Sequence, residues 1–241
     1  QGIATKEPAF GLPALWVPED TREQAQMAGY TVVDAGSAIA THLSELIKRH
    51  GSELLGRQEV QTLLDEVGKS HPKLVEGLIP ALVPLGTVVR VLGNLLKEGI
   101  PIRDLRSILE AISDHATTTK DAEVLTEYAR QALARTITKQ YLAADGSLQV
   151  ITLDPRLDRS LAEQAVALPP GAMLNLDPTL SHKLLTGLKQ AAERVAARGQ
   201  QPIVLCSQVV RRHLRRHSDR QLHAVPVMGL NEVDSFVRLQ S

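Results

Sequence analysis

The sequence is poor in residues that supply reactive chemistry. Its single cysteine, Cys206, excludes a disulfide within the chain and is typical of a reducing compartment. Because Cys206 lies in a short apolar run, a buried small side chain is favoured over a reactive thiol. Aromatic residues make up only 2% of the chain. The core must therefore be built mainly from leucine, valine, isoleucine and alanine.

Long apolar runs and an excess of either charge are also lacking. The longest apolar run, near Val88, is interrupted by Arg90 and Gly93, and none approaches the ~20 residues of a membrane helix. The 27 lysines and arginines balance 27 acids, so net charge gives no reason to expect nucleic acid or an anionic membrane as partner. The N-terminal residues lack a signal-peptide pattern. We expect a cytosolic chain.

Motifs of catalysis and cofactor binding are missing. No glycine and lysine spacing matches a P-loop, and Ser207 lacks the flanking glycines of a nucleophile elbow. His213 and His217 would share one helix face and could hold a metal, but no third ligand is visible. We expect no enzyme, no cofactor, no metal and no small-molecule substrate.

Arginines interleave with these two histidines. Their charge opposes cation binding, and the pattern favours a solvated basic face on a helix. Such a face could grip phosphates, but the neutral chain and the lack of nearby aromatics argue against nucleic acid. The arginines are Arg211, Arg212, Arg215 and Arg216.

Apolar periodicity predicts a mostly helical α+β protein with small mixed sheets. In the segment 37–50, for example, Ile39, Leu43, Leu46 and Ile47 are spaced as one buried stripe. Predicted helices cover 22–28, 37–50, 57–67, 85–96, 103–113, 121–140, 181–198 and 209–217. Predicted strands cover 16–17, 31–33, 148–153, 202–206 and 224–228.

Two patterns predict how strands pair. The Asp145-Gly146 turn favours a hairpin between 140–142 and 148–153, which makes 103–153 winged-helix-like. The strand, helix and strand from 202 to 228 predict a small parallel α/β unit. A linker or boundary is expected at Leu168-Pro169-Pro170-Gly171.

Several segments, in order along the chain, resemble the cytosolic region of the FHIPEP family of flagellar type III export-gate proteins. The match is dense in the first half and looser from Leu168 onward. The segments are 7–16 (EPAFGLPALW), 30–34 (YTVVD), 40–43 (ATHL), 54–61 (LLGRQEVQ) and 101–106 (PIRDLR).

This resemblance implies four subdomains. Residues 1–30 with 80–99 would be a partial first subdomain, and 31–79 a helical second subdomain inserted in it. Residues 100–179 would be the winged-helix-like third, and 180–241 the small α/β fourth. The front of the first subdomain would be absent, leaving its sheet incomplete or completed by a neighbouring chain.

The resemblance also implies a function. It is that of a docking platform in the cytoplasmic domain of a bacterial inner-membrane protein, which forms a homo-oligomeric ring and meets other export-apparatus proteins. Family members bind export chaperones with cargo in an apolar depression, which Leu55, Leu78, Val83 and Gly86 would line by motif position. From the residues alone, the three apolar ones would be ordinary core. Many relatives carry Phe at Leu55 and Thr at Gly86, so a wider depression is expected.

Two alternatives stay open. An injectisome export gate would share the fold and the ring but serve virulence effectors, although 54–61 reads as flagellar. A nucleic-acid-binding winged helix is motivated by 103–153 and by the arginines at 211–216.

Overall fold

The computed structural model describes residues 2–9, 11–169, 172–222 and 224–240. Contacts divide the chain into two compact units, Gln1–Leu55 and Gly56–Ser241. Phe10, within the segment 7–16, lies outside the described residues. So do Pro170 and Gly171, and the break predicted at 168–171 is therefore described only in part.

The first unit holds a two-stranded ribbon and two helices. Strands β1 (Ile3–Lys6) and β2 (Pro13–Trp16) pair antiparallel, with Ile3 opposite Trp16. Helices α1 (Arg22–Met27) and α2 (Ala35–Leu54) follow. Asp34 caps α2, because its Oδ1 accepts a hydrogen bond of 2.8 Å from the Ser37 amide.

The apolar stripe of α2 is not buried, contrary to the sequence prediction. Ile39 is 67% exposed and Leu43 54%, and no residue of α2 is buried. Periodicity identifies an amphipathic helix, but it does not supply the surface that covers the apolar side. Two further predictions are wrong here. Residues 31–33 form no strand, and the helix predicted for 37–50 extends to Leu54.

The second unit is larger and carries the rest of the fold. Its helices are α3 (Arg57–Ser70), α4 (Pro72–Leu78), α5 (Leu85–Lys97), α6 (Leu105–His115), α7 (Ala122–Ala132), α8 (Ala134–Tyr141), α9 (Pro155–Ala167), α10 (Pro178–Ala196) and α11 (Gln208–Leu222). Its strands are β3 (Ser147–Thr152), β4 (Ile203–Cys206), β5 (Val227–Gly229) and β6 (Arg238–Gln240).

The helical half of this unit is organised around α5. Helix α5 packs against α3 and α7, and α6 packs against α4 and α7. The side chains between them are fully buried, as expected for an aliphatic core with few aromatics. They include Val88, Val91, Leu92, Leu95, Ile108, Leu109 and Ile112.

The other half is a parallel sheet in the order β5-β4-β3-β6. Val150 lies opposite Ile203, and Val204 lies opposite Val227. Helices α9, α10 and α11 bring Leu161, Leu188 and Leu214 into one buried cluster with β4 and β5. The predicted parallel α/β unit is therefore confirmed.

The predicted hairpin, and with it the winged-helix arrangement of 103–153, is wrong. Gly146 has the φ of 74° that the turn requires, but α8 runs through Tyr141, and β3 pairs with β4 and β6 instead. Most of β3 is buried, as is typical of an inner parallel strand. A local turn signal cannot reveal partners more than 50 residues away in sequence.

Other elements differ in extent. The single helix predicted for 121–140 divides at Leu133 into α7 and α8, and the sequence interpretation omitted α9, β1 and β6. The mostly helical α+β class is confirmed. The four subdomain boundaries stay a prediction, and β3 shares its sheet with strands from the predicted fourth subdomain. Among the described helices, none combines the length and apolar character needed to cross a membrane.

Candidate functional site

Three of the four predicted docking residues lie at the connection between α4 and α5, here called the α4–α5 corner (residues 78–86). Leu78 ends α4, and its carbonyl accepts hydrogen bonds from the amides of Leu82 (2.9 Å) and Val83 (3.0 Å). The corner therefore folds back on the end of α4. Gly86 lies in the first turn of α5 and is half-buried.

The apolar members of the set differ in exposure. Leu78 and Val83 have no exposed area, so in this state they support the corner from beneath. Leu55, the C-cap of α2, is half-buried and belongs to the first unit. Docking at these residues stays a prediction.

Gly86 leaves space that Arg57 borders. A Cβ built on Gly86 would lie 3.5 Å from Nη2 of Arg57, at ordinary van der Waals distance. Arg57 is the first residue of α3 and is exposed. The guanidinium therefore lies beside the backbone of the first turn of α5.

A second cation contacts the corner from the segment before α7. The ammonium of Lys120 donates a hydrogen bond to the carbonyl oxygen of Leu82, next to Val83. Lys120 is exposed. An ammonium has three donors, so others remain for a partner.

The arginine-rich helix α11 is not the solvated basic face that its sequence indicated. Arg211 is only 2% exposed. Arg215 donates to the Val225 carbonyl (3.2 Å) and pairs with Asp219 (3.0 Å), and Arg216 lies 3.6 Å from Glu123. With the hairpin also absent, both observations that motivated a nucleic-acid-binding winged helix are removed.

Arg211 belongs to a buried five-charge cluster, which consists of Glu98, Glu127, Arg130, Arg211 and Glu232. Glu98 accepts from Arg130 Nη1 (2.8 Å) and from Arg211 Nη1 (2.7 Å). At the ends, Glu232 accepts from Arg130 Nε (2.5 Å) and Glu127 from Arg211 Nε (2.6 Å). Carboxylates and guanidiniums alternate along the chain Glu232, Arg130, Glu98, Arg211, Glu127.

The cluster joins the two halves of the second unit. Glu98 follows α5, Glu127 and Arg130 lie on α7, and Arg211 lies on α11. The carbonyl of Val227 in β5 accepts from both guanidiniums, at 3.3 Å from Arg130 and 3.5 Å from Arg211. Every polar atom buried in the described side chains has a hydrogen-bond partner, as a buried network requires.

The pKa values of the cluster's members are shifted in different directions. Burial by itself would raise the pKa of Glu98, but the charges of Arg211 and Arg130 outweigh it and hold that pKa below its ordinary value. Burial raises the pKa of Glu127, although Arg211 opposes the shift. Burial would lower the pKa of Arg211, yet the carboxylates of Glu98 and Glu127 raise it well above the ordinary value.

The candidates for metal or thiol chemistry have structural roles. In the parts of the chain that the structure describes, no group of three or more His, Cys, Asp or Glu side chains could hold a metal. His213 is buried, which lowers its pKa, and His217 Nε2 lies 2.7 Å from Ser181 Oγ. Cys206 is buried as predicted, and burial raises the pKa of its thiol far above the ordinary value.

The sequence interpretation missed the five-charge cluster, although α11 carries a signal for it. Arg211 falls on the same helix face as Leu214 and Leu222, both buried. A charged residue on an apolar face indicates a buried, paired charge. Its partners lie on elements distant in sequence.

Comparison with known proteins identifies relatives over the whole chain. The model of the FHIPEP family matches residues 1–238. The flagellar biosynthesis protein FlhA of Bacillus subtilis (strain 168) is 39% identical over 241 residues, covering 100% of this chain and 36% of that protein. FlhA of Escherichia coli (strain K12) is 44% identical over 228 residues, with 95% and 32% covered. The chain thus spans about a third of the length of these curated relatives.

Solved structures share the fold. The Chlamydia pneumoniae CdsV protein superposes with a TM-score of 0.84 at 31% identity, covering 96% of this chain and 66% of that one. The structure of the CdsV and CdsO complex superposes with a TM-score of 0.79 at 28% identity, covering 94% of this chain and 66% of that one. The nonameric EscV cytosolic domain from the type III secretion system superposes with a TM-score of 0.75 at 25% identity, covering 95% of this chain and 67% of that one.

Proposed function

Since the chain belongs to the FHIPEP family, we propose that it forms part of the cytosolic docking platform of a flagellar type III protein export gate. In this role it binds export chaperones with their cargo and passes the cargo to the channel. It is a binding component and not an enzyme. The observation that carries the proposal is the match to FlhA proteins along the whole chain, at 39% and 44% identity.

A flagellar gate is favoured over an injectisome gate. Identity to the flagellar relatives is 39% and 44%, against 25% for EscV. The fold does not separate the two, since the chain superposes on CdsV and on the EscV cytosolic domain from the type III secretion system.

Assembly and partners are proposed by analogy with the solved relatives. The EscV cytosolic domain is nonameric and CdsV forms a complex with CdsO. We expect the longer protein to form a ring and to meet other export-apparatus proteins, with this chain on the cytoplasmic side of the inner membrane.

The residues proposed for docking are Leu55, which ends the first unit, and those of the α4–α5 corner in the second unit. An amphipathic chaperone helix can lay an apolar stripe into a groove and leave polar contacts at its rim. Leu55 has accessible surface for such a contact, whereas Leu78 and Val83 shape the corner from within. Gly86 presents no side chain in the first turn of α5.

The test replaces Leu55 by Asp and measures binding of a purified flagellar chaperone and cargo complex by calorimetry. We expect binding to be lost, because a charge would enter the apolar contact. Val166→Asp, on an α9 position that is 74% exposed, is the matched control and should bind normally. Unchanged affinity of Leu55→Asp in a folded protein would contradict the site.

Val83→Asp is the less informative variant. Val83 has no exposed area, and a buried unpaired carboxylate destabilises the fold. Loss of binding there would not separate docking from folding.

A further inference from the structure

Two exposed side chains beside the α4–α5 corner are positively charged. Arg57 borders Gly86, and Lys120 donates to the Leu82 carbonyl. Both side chains are exposed. Leu78 and Val83 are buried, whereas Pro80, Ala81 and Pro84 give the corner exposed apolar surface. A partner that approaches the corner therefore meets apolar surface together with two cations.

Among the described residues, neither cation has a carboxylate partner. The ion pairs of the described residues include neither Arg57 nor Lys120. The acids nearest in sequence have other roles. Glu59 accepts from the Gly56 amide (2.9 Å), and Asp121 accepts from the Glu123 amide (2.8 Å) at the start of α7.

We propose that Arg57 and Lys120 form a cationic rim of the docking site, which selects partners whose apolar contact is flanked by aspartate or glutamate. This inference rests on the proposed docking function and adds the chemistry of the partner. Complementary charges at an interface rim act mainly on specificity and on the rate of association. The guanidinium can also hold a carboxylate through two parallel hydrogen bonds.

The test uses Arg57→Gln and Lys120→Gln, each in a purified protein titrated with a flagellar export chaperone and cargo complex. Glutamine removes the charge and keeps an N–H donor, although its side chain is shorter than that of lysine or arginine. At low salt we expect each variant to weaken binding by about two- to fivefold, as for a solvent-exposed ion pair. The difference should shrink at high salt, because exposed charges are screened.

Arg159→Gln is the control, since it removes the same charge from an exposed position on α9. It should bind as the parent does at both salt concentrations. Circular dichroism before each titration checks that the variants are folded.

The rim is overturned if both variants bind like the parent at low salt while Leu55→Asp abolishes binding. It is equally overturned if the affinity of the unmodified protein is independent of salt. Unchanged binding by Leu55→Asp, with losses in the rim variants, would instead contradict the assignment of Leu55 and retain the rim.

Discussion

Glu98 and Arg211 meet side by side in the interior, through Nη1 to Oε2 at 2.7 Å and Nη2 to Oε1 at 3.3 Å. Glu98 follows the end of α5 and Arg211 lies on α11. The pair therefore links the helical half of the second unit to the sheet half. Arg130 donates a hydrogen bond to the same carboxylate, so Glu98 binds two buried guanidiniums.

Replacing Glu98 by Gln should strongly destabilise the protein. The substitution leaves two buried guanidiniums to share the remaining carboxylates, and breaking a buried ion pair from one side lowers the free energy of unfolding by about 3–5 kcal/mol. Urea denaturation followed by circular dichroism measures the loss. Glu110→Gln, which removes a partner from the exposed pair with Arg106, should change the midpoint little, and equal effects of the two would contradict the role of Glu98.

Acid should weaken the same link. The pKa of Glu98 is lowered in the folded state, so its stabilisation is fully present above the ordinary glutamate pKa of about 4.3. It is lost as the pH falls through the folded value, because the unfolded chain binds the proton first. Urea midpoints recorded from neutral pH to below pH ~4 should fall more steeply for the parent than for Glu98→Gln.

Glu127→Gln should destabilise less than Glu98→Gln. Burial raises the pKa of Glu127, which means that its ionised form is less stable in the folded protein. Glu127 also contacts only one of the two arginines of the cluster. Both substitutions leave two carboxylates for two guanidiniums, so the ordering follows from the number of arginines that each glutamate contacts and from the opposite pKa shifts. A larger destabilisation than that of Glu98→Gln would contradict this ordering.

Gly86→Ala should stabilise the protein by up to about 1 kcal/mol, since alanine is the better helix former and loses less chain entropy on folding. The added Cβ meets nothing closer than 3.5 Å. Thermal unfolding measures the gain. Gly99→Ala is the contrasting variant, because Gly99 has a φ of +70°, where a side chain is strained. We expect Gly99→Ala to destabilise the protein.

Much of the fold could be predicted from the sequence because it depends on local periodicity. Segments such as 85–96 and 103–113 carry complete apolar stripes, and the structure has α5 and α6 there. The single cysteine likewise excluded a disulfide within the chain, and no catalytic spacing gave the sequence a reason to predict an enzyme. The family followed from short matching segments in a fixed order.

Tertiary structure alone decided what each surface contacts. The sequence correctly predicted the turn at Asp145-Gly146, but β3 pairs with β4 and β6. Arg211 was expected in solvent and lies in the core, while Ile39 was expected in the core and lies in solvent. Periodicity determines which side of an element is apolar, because that depends on neighbours along the chain. Burial depends on elements brought together from distant positions, and no local pattern contains that information.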